Sequence, residues 1–206
     1  MELNKIYIYR MTHLDNVDHI LKFGITHKNS DNRNFNYRAI GDNSLISRRD
    51  NFKTPLGIEL GNYTPFYFGL RTPMLYVIQN GYNGVQMTPA HDIVYCVSSM
   101  QKIVESKLEF IYTDGHATDG FTNFYSMEDI TSIENQIDLT ATNGKYWNVE
   151  GDLDFKRRKE AELLILGDLP IEYNLGFIVY NARAKESMIE KGIEDKLVVV
   201  KPNYYF

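Results

Sequence analysis

The chain has 206 residues, 43% of them hydrophobic, which is enough for one substantial core in a single domain. Its formal charge of -5 excludes a protein that grips nucleic acid by bulk positive charge, while leaving room for a local basic groove. The single cysteine, Cys96, forms no internal disulfide and fits a reducing compartment. The opening "MELNKIYIYRMTH" has no signal-peptide apolar core and no run reaches about 18 apolar residues, so a cytoplasmic protein is expected.

"KIYIYRMTH" alternates aromatic and β-branched residues and predicts a strand over 5–11, with His13 just past its end. Leu14, Val17, Ile20 and Leu21 then follow at helical spacing, with Asp15 as the cap and Gly24 as the stop. Residues 25–44 are rich in Asn, Asp and Ser and show no period, which reads as a long loop. Phe35 and Tyr37 beside Arg33 and Arg38 suit a loop that covers a ligand. "SLISRRDNF" predicts a short helix ending before Pro55.

"TPFYFGLRTPMLYVIQNG" predicts a strand over 65–69 and a helix capped by Thr72 with Pro73 in its first turn. Further strands are predicted over 92–97, 109–113, 161–166, 175–180 and 196–200, with a helix over 182–191. Residues 114–155 form a second polar stretch that carries Tyr146 and Trp147 into the cations of 156–159. Helices crowd the first half and strands the second, so the fold class is α+β around a largely antiparallel sheet.

In "KRRKEAELLI" strand alternation puts Glu160, Glu162 and Leu164 on one face. Two carboxylates at that spacing raise at least one pKa unless a cation or water relieves them. A solvated strand entrance with weak ion pairs and a functional acidic pair beside Lys156, Arg157, Arg158 and Lys159 both fit this pattern. Arg48 and Arg49 read either as a solvated helix face or as phosphate ligands. His13 and His116 read as structural or as acid/base groups; the five histidines lack metal-site spacing, so no metal is expected. "GYNG" at 81–84 lacks the strand-before, helix-after setting of a phosphate loop.

Taken in order, "IYRMTHLDNVDHILKFGI", "LISRR", "YTPFYFGLRTPMLYVIQNG", "FIYTDGHAT", "YW" and "KRRKEAELLI" resemble the DarT family, DNA ADP-ribosyltransferase toxins of bacterial toxin–antitoxin systems. The resemblance spans nearly all of the chain to about residue 180. It implies a single ADP-ribosyltransferase domain with a split sheet that binds NAD, acts as a monomer on single-stranded DNA, and is countered by an antitoxin that removes ADP-ribose.

It further implies that Glu162 and Arg49 are the catalytic pair, and that Arg10, Met11, Thr12, His13, His27, Arg49, Tyr67 and Met74 bind NAD. Residues 31–51 correspond to the NAD-binding element and 114–162 to the loop presenting the acceptor, where Tyr146, Trp147, Arg157 and Arg158 meet nucleic acid. The wording of "IYRMTH" and "KFGITHKNS" leans toward guanosine over thymidine as the modified base. Many relatives read Gln-Ala-Glu where this chain has Glu160-Ala161-Glu162, a pairing similar to arginine-modifying enzymes. Transfer to protein, or a non-catalytic nucleotide-binding module, therefore stand as alternatives.

Overall fold

A computed structural model describes residues 2–206, with the side chains of Asn43, Leu45 and Arg48 outside the described set. The first strand, β1, is Tyr7–His13, two residues later than the alternation suggests, because Leu3–Lys5 forms a 3-10 turn. His13 is therefore its last residue. Helix α1, Val17–Phe23, stops at Gly24, whose φ of 79° and close approach to the Leu169 carbonyl both require glycine. Helix α2 is Asn43–Asp50, β2 is Tyr63–Tyr67, and α3 is Pro73–Asn80, capped as predicted by the Thr72 hydroxyl accepting from Leu75 N–H.

Strand β3, Ile93–Ser99, runs directly into α4, Met100–Ser106, a helix the sequence patterns did not reveal. After β4, Phe110–Thr113, the stretch expected to be irregular contains β5 (Phe124–Ser126), α5 (Ile133–Gln136), α6 (Leu139–Asn143) and α7 (Phe155–Lys159). Helices of four or five residues are too short to display a 3.6-residue period. They rest instead on local caps, such as Asp138 accepting from Ala141 N–H at 2.9 Å. Then follow β6 (Glu162–Leu166), β7 (Gly176–Val179), α8 (Ala182–Glu190) and β8 (Val198–Val200).

The strands form one sheet in the order β5-β4-β6-β2-β1-β3-β7-β8. Neighbours are antiparallel except β7 and β8, which α8 joins as a parallel crossover. Strand alternation sends Ile8, Phe66, Val94, Cys96, Leu163 and Ile165 to one face, where they pack with Val17, Ile20, Met100, Ile103 and Met188 from α1, α4 and α8. The opposite face is covered in two places. Leu75 and Ile78 of α3 pack over Ile93, Tyr95 and Ile178, while Leu60, Tyr63, Ile111, Ala117 and Leu164 form a separate cluster.

The gap between those clusters lies where the sheet is weakest. β1 pairs with β3 along seven register positions but with β2 at one, Tyr9 opposite Tyr67. The expected split appears as an opening between β1 and β2 beyond a single central pairing, within one largely antiparallel eight-stranded sheet. No helix among the described residues is long and apolar enough to cross a membrane.

The turn between β2 and α3 is pinned against the end of α6. A Cβ on Gly69 would stand 2.0 Å from the Thr142 carbonyl oxygen. The wholly buried Lys159 ammonium donates to the carbonyls of Leu70, Thr142 and Ala141 at 3.3, 3.3 and 3.5 Å, and to that of Gly144. Gly69→Ala is expected to destabilise the protein by about 1–3 kcal/mol, since backbone rather than a mobile side chain must move. Urea unfolding checks this, and an unchanged midpoint would rule out the close approach.

Candidate active site

Beyond the Tyr9–Tyr67 pairing the opening becomes a cleft of about 620 Å³, within the size range of small-molecule sites. Glu162, the first residue of β6, faces it, as do Tyr67 and Pro65 from β2 and Arg10 and Met11 from β1. Arg49 enters from α2, while the loop over residues 26–41 supplies His27, Arg33 and Tyr37. That loop is tied down by Asn16. Its side chain accepts from Arg38 N–H at 2.8 Å and donates to Arg38 O at 2.9 Å, and Arg38 also bonds Asp15 at 2.7 Å.

Glu162 is 1% exposed. Burial alone would push its pKa up, but the Arg49 guanidinium and the Ala117 N–H outweigh that and hold it below the usual carboxylate range. Arg49 grips the carboxylate with two nitrogens, Nη1 to Oε1 at 2.9 Å and Nη2 to Oε2. Ala117 N–H donates to Oε1 at 3.1 Å, and His116 Nε2 stands 3.9 Å from the same oxygen. Burial lowers the His116 pKa, so its imidazole is neutral at pH 7, with Nδ1 bonded to the Thr118 hydroxyl at 2.9 Å. The site thus holds a fixed anion, a fixed cation and a neutral imidazole in one recess.

Of the residues the sequence nominated, Arg10, Met11, His27, Arg49, Tyr67, Met74 and Glu162 share the cleft. His27 is anchored there by its N–H to Asp168 Oδ1 at 2.9 Å and its Nδ1 to Gly61 O at 3.2 Å. Thr12 and His13 do not line it. Thr12 is buried with its hydroxyl accepting from Asn16, and His13 Nδ1 accepts from Asp15 N–H at 3.0 Å, capping the turn after β1. His13 Nε2 is buried without a partner among the described residues. The side chain of Arg48 lies outside the described residues.

The basic run departs most from its strand reading. "KRRK" is helix α7, and Glu160 is its C-cap with φ -96° and ψ 22°, so strand alternation does not put Glu160 on the Glu162 face. The phosphate path expected of these cations is largely neutralised from within. Arg157 bonds Asp114 and Asp154 at 2.7 Å each, Arg158 bonds Asp152, Asp138 and Asp154 at 2.6, 2.9 and 3.1 Å, and Lys159 is buried on carbonyls. Trp147 packs edge-on with Tyr76 and Phe206, centroids 5.5 and 5.9 Å apart, so part of its surface is already committed to protein, whereas Tyr146 is 61% exposed.

His116 is the residue sequence reasoning undervalued. Its place beside Glu162 arises from the loop after β4, and the one signal for it was "TDGHAT" directly following a strand. Among the described residues no group of His, Cys, Asp or Glu is arranged to hold a metal ion.

A sequence model of the family described as DarT, ssDNA thymidine ADP-ribosyltransferase, matches residues 9–206. The chain is 33% identical over 184 residues to a DNA ADP-ribosyl transferase of Escherichia coli O127:H6 (strain E2348/69 / EPEC), covering 88% of this chain and 83% of that protein. It is 26% identical over 200 residues to a DNA ADP-ribosyl transferase-DNA ADP-ribosyl glycohydrolase fusion protein of Thermosipho africanus, covering 97% of this chain and 48% of the fusion. Among solved structures, Thermus sp. 2.9 DarT in complex with ADP-ribosylated ssDNA superposes with a TM-score of 0.83 at 26% identity, over 98% of this chain and 96% of that one. The same protein in complex with NAD+ gives 0.79 at 26% identity over 98% of both chains.

Burial pushes Glu160 up to about 7 from an ordinary 4.5; Lys156 opposes the shift and Glu162 adds to it. The folded protein therefore keeps this proton at pH values where the unfolded chain has lost it. The stabilisation this provides is complete below about 4.5 and is lost as pH rises to about 7. Glu160→Gln should gain stability over the natural chain across that window, levelling at no more than about 3 kcal/mol above it. Melting temperatures at pH 5 and pH 8 read this directly, and an equal difference at both would contradict the half-buried placement of Glu160.

Proposed function

The chain belongs to the DarT family of DNA ADP-ribosyltransferases, and we propose that it transfers ADP-ribose from NAD to a base of single-stranded DNA with Glu162 and Arg49 at the reacting centre. The observation that carries this reading is a buried carboxylate held anionic by Arg49 where the sheet opens. Breaking the ribose–nicotinamide bond sends the bonding pair to nicotinamide, which leaves neutral, and develops positive charge on the ribose. An anion already fixed beside that ribose lowers the barrier without reorganising. The acceptor base forms the new bond to the same ribose carbon and releases its proton to solvent.

The cleft fits NAD in its chemistry. Arg10 and Arg49 supply positive charge for a diphosphate, and Tyr67, Met11 and Met74 supply flat or soft surface for rings. His27 lines the same cleft. Thr12 and His13 enter this reading through the main chain, because the β2-facing groups of β1 beyond Tyr9 have no strand partner. Tyr146 remains a stacking candidate on the acceptor side.

For the base we propose thymidine, following the description of the matching family, over the guanosine that two sequence segments suggested. The fusion of transferase and glycohydrolase in the Thermosipho relative supports a toxin role, with a partner that removes the ADP-ribose. Transfer to a protein side chain is the second reading, favoured by Glu160 two residues before Glu162 and electrostatically coupled to it.

Incubation with NAD and a mixed-sequence oligonucleotide, followed by mass spectrometry of the nucleosides, should yield ADP-ribosylated thymidine. Modified guanosine would reverse the choice of base, and label found only on protein would favour the second reading. Glu162→Gln, which keeps the shape and removes the charge, should lower the rate at least about 100-fold. Undiminished activity in that variant would exclude Glu162 from the reacting centre.

A further inference from the structure

We infer that Phe121 is the platform on which the nucleotide next to the modified one stacks, a specificity-determining residue for the reaction proposed above, on which this inference rests. Its side chain is 86% exposed and makes no ring contact with the described residues. A single exposed phenyl group is ordinary on a protein surface. Three observations set this one apart.

The first is that its loop is rigid. Asp119 N–H and the Thr122 hydroxyl both donate to His116 O at 2.9 Å, and Phe121 N–H donates to Asp119 Oδ1 at 2.9 Å. The loop is closed at its base by Asp114, which accepts from Asn123 N–H and Nδ2 at 2.9 and 2.8 Å and is held by Arg157 at 2.7 Å. A backbone held in this way loses little conformational freedom when a base settles on the ring it carries.

The second is its distance from the reacting centre. Ala117 N–H bonds Glu162 itself, and Phe121 is four positions further along the chain, a Cα–Cα reach of at most about 14 Å if extended. The true separation is shorter, because Thr122 folds back onto His116 O. The ring therefore lies within a nucleotide or two of the carboxylate.

The third is what else is available to hold a strand. The chain carries a net charge of -5 and Arg157 and Arg158 are spent on aspartates, so phosphate attraction is weak and stacking must carry more of the grip. The two next most exposed aromatic rings, Phe35 and Tyr146, have cations over them, Arg33 at 4.5 Å and Lys145 at 5.1 Å. Phe121 keeps its faces free and stands on the loop that contacts Glu162.

The test compares the natural chain with Phe121→Ala and Phe121→Trp, measuring KM for a thymidine-containing oligonucleotide, its binding by fluorescence anisotropy, and NAD affinity. Phe121→Ala should raise KM and weaken oligonucleotide binding roughly 5- to 150-fold, the range of one base–aromatic stack. NAD affinity should be unchanged, and Phe121→Trp should restore the strand. An abasic site beside the modified base should reproduce the loss in the natural chain and add little to the alanine variant. An unchanged KM in Phe121→Ala, or an abasic penalty undiminished in it, overturns the inference while the functional reading survives. If the natural chain neither binds nor modifies the oligonucleotide, the functional reading falls, and this inference falls with it.

Discussion

A carboxylate with 1% of its surface exposed, at the start of a central strand, is the constraint around which the rest of the molecule is arranged. Left alone it would take up a proton or destabilise the fold. The protein keeps it charged from two separate chain segments: the Arg49 guanidinium of α2 and the Ala117 N–H of the loop after β4. Each of those segments has to be held in place for the anion to persist. The loops that look irregular in sequence are thus bound to the sheet through one side chain.

The charges of "KRRKE" serve this arrangement from beneath. Arg157 bonds Asp114, the residue that closes the loop carrying His116 and Ala117, so a cation in α7 helps fix the N–H that reaches Glu162. Arg158 binds the α6 N-cap Asp138 as well as Asp152 and Asp154 in the turn before α7. Lys159 replaces water around four carbonyls at the meeting of β2, α6 and α7, and burial lowers its pKa to about 8. A run of positive charge that looks like a nucleic-acid surface is spent mostly on internal framing, which agrees with the acidic balance of the whole chain.

The opening of the sheet provides the complementary half of the site. With β1 and β2 paired only at Tyr9 and Tyr67, main-chain groups and side chains that would otherwise lie in a ladder border a cleft. Strand alternation turns Tyr67, Met11 and Glu162 toward it while Phe66, Ile8 and Leu163 anchor the same strands in the core. Reactive groups on well-packed strands are positioned more tightly than groups on loops alone.

Much of this was legible in the chain. Period-two runs located the long strands to within two or three residues, Thr72-Pro73 and Gly24 marked helix ends, and the ordered motifs pointed to Glu162 and Arg49. These features are local, set by backbone sterics and the burial of alternate side chains, and local patterns survive in sequence. The short helices between residues 127 and 159 had no such period, so "KRRKEAE" read as a strand entrance and its cations as free. Only the tertiary structure decided that Arg157 and Arg158 would find aspartates from 114 to 154, that Thr12 and His13 would turn into the β1–α1 junction, and that His116 would stand beside Glu162. Those pairings join residues as far as 46 positions apart, His116 with Glu162, and depend on which loops the sheet brings together. The identity of the anion was written in the chain; the partners that keep it charged follow from how the chain folds.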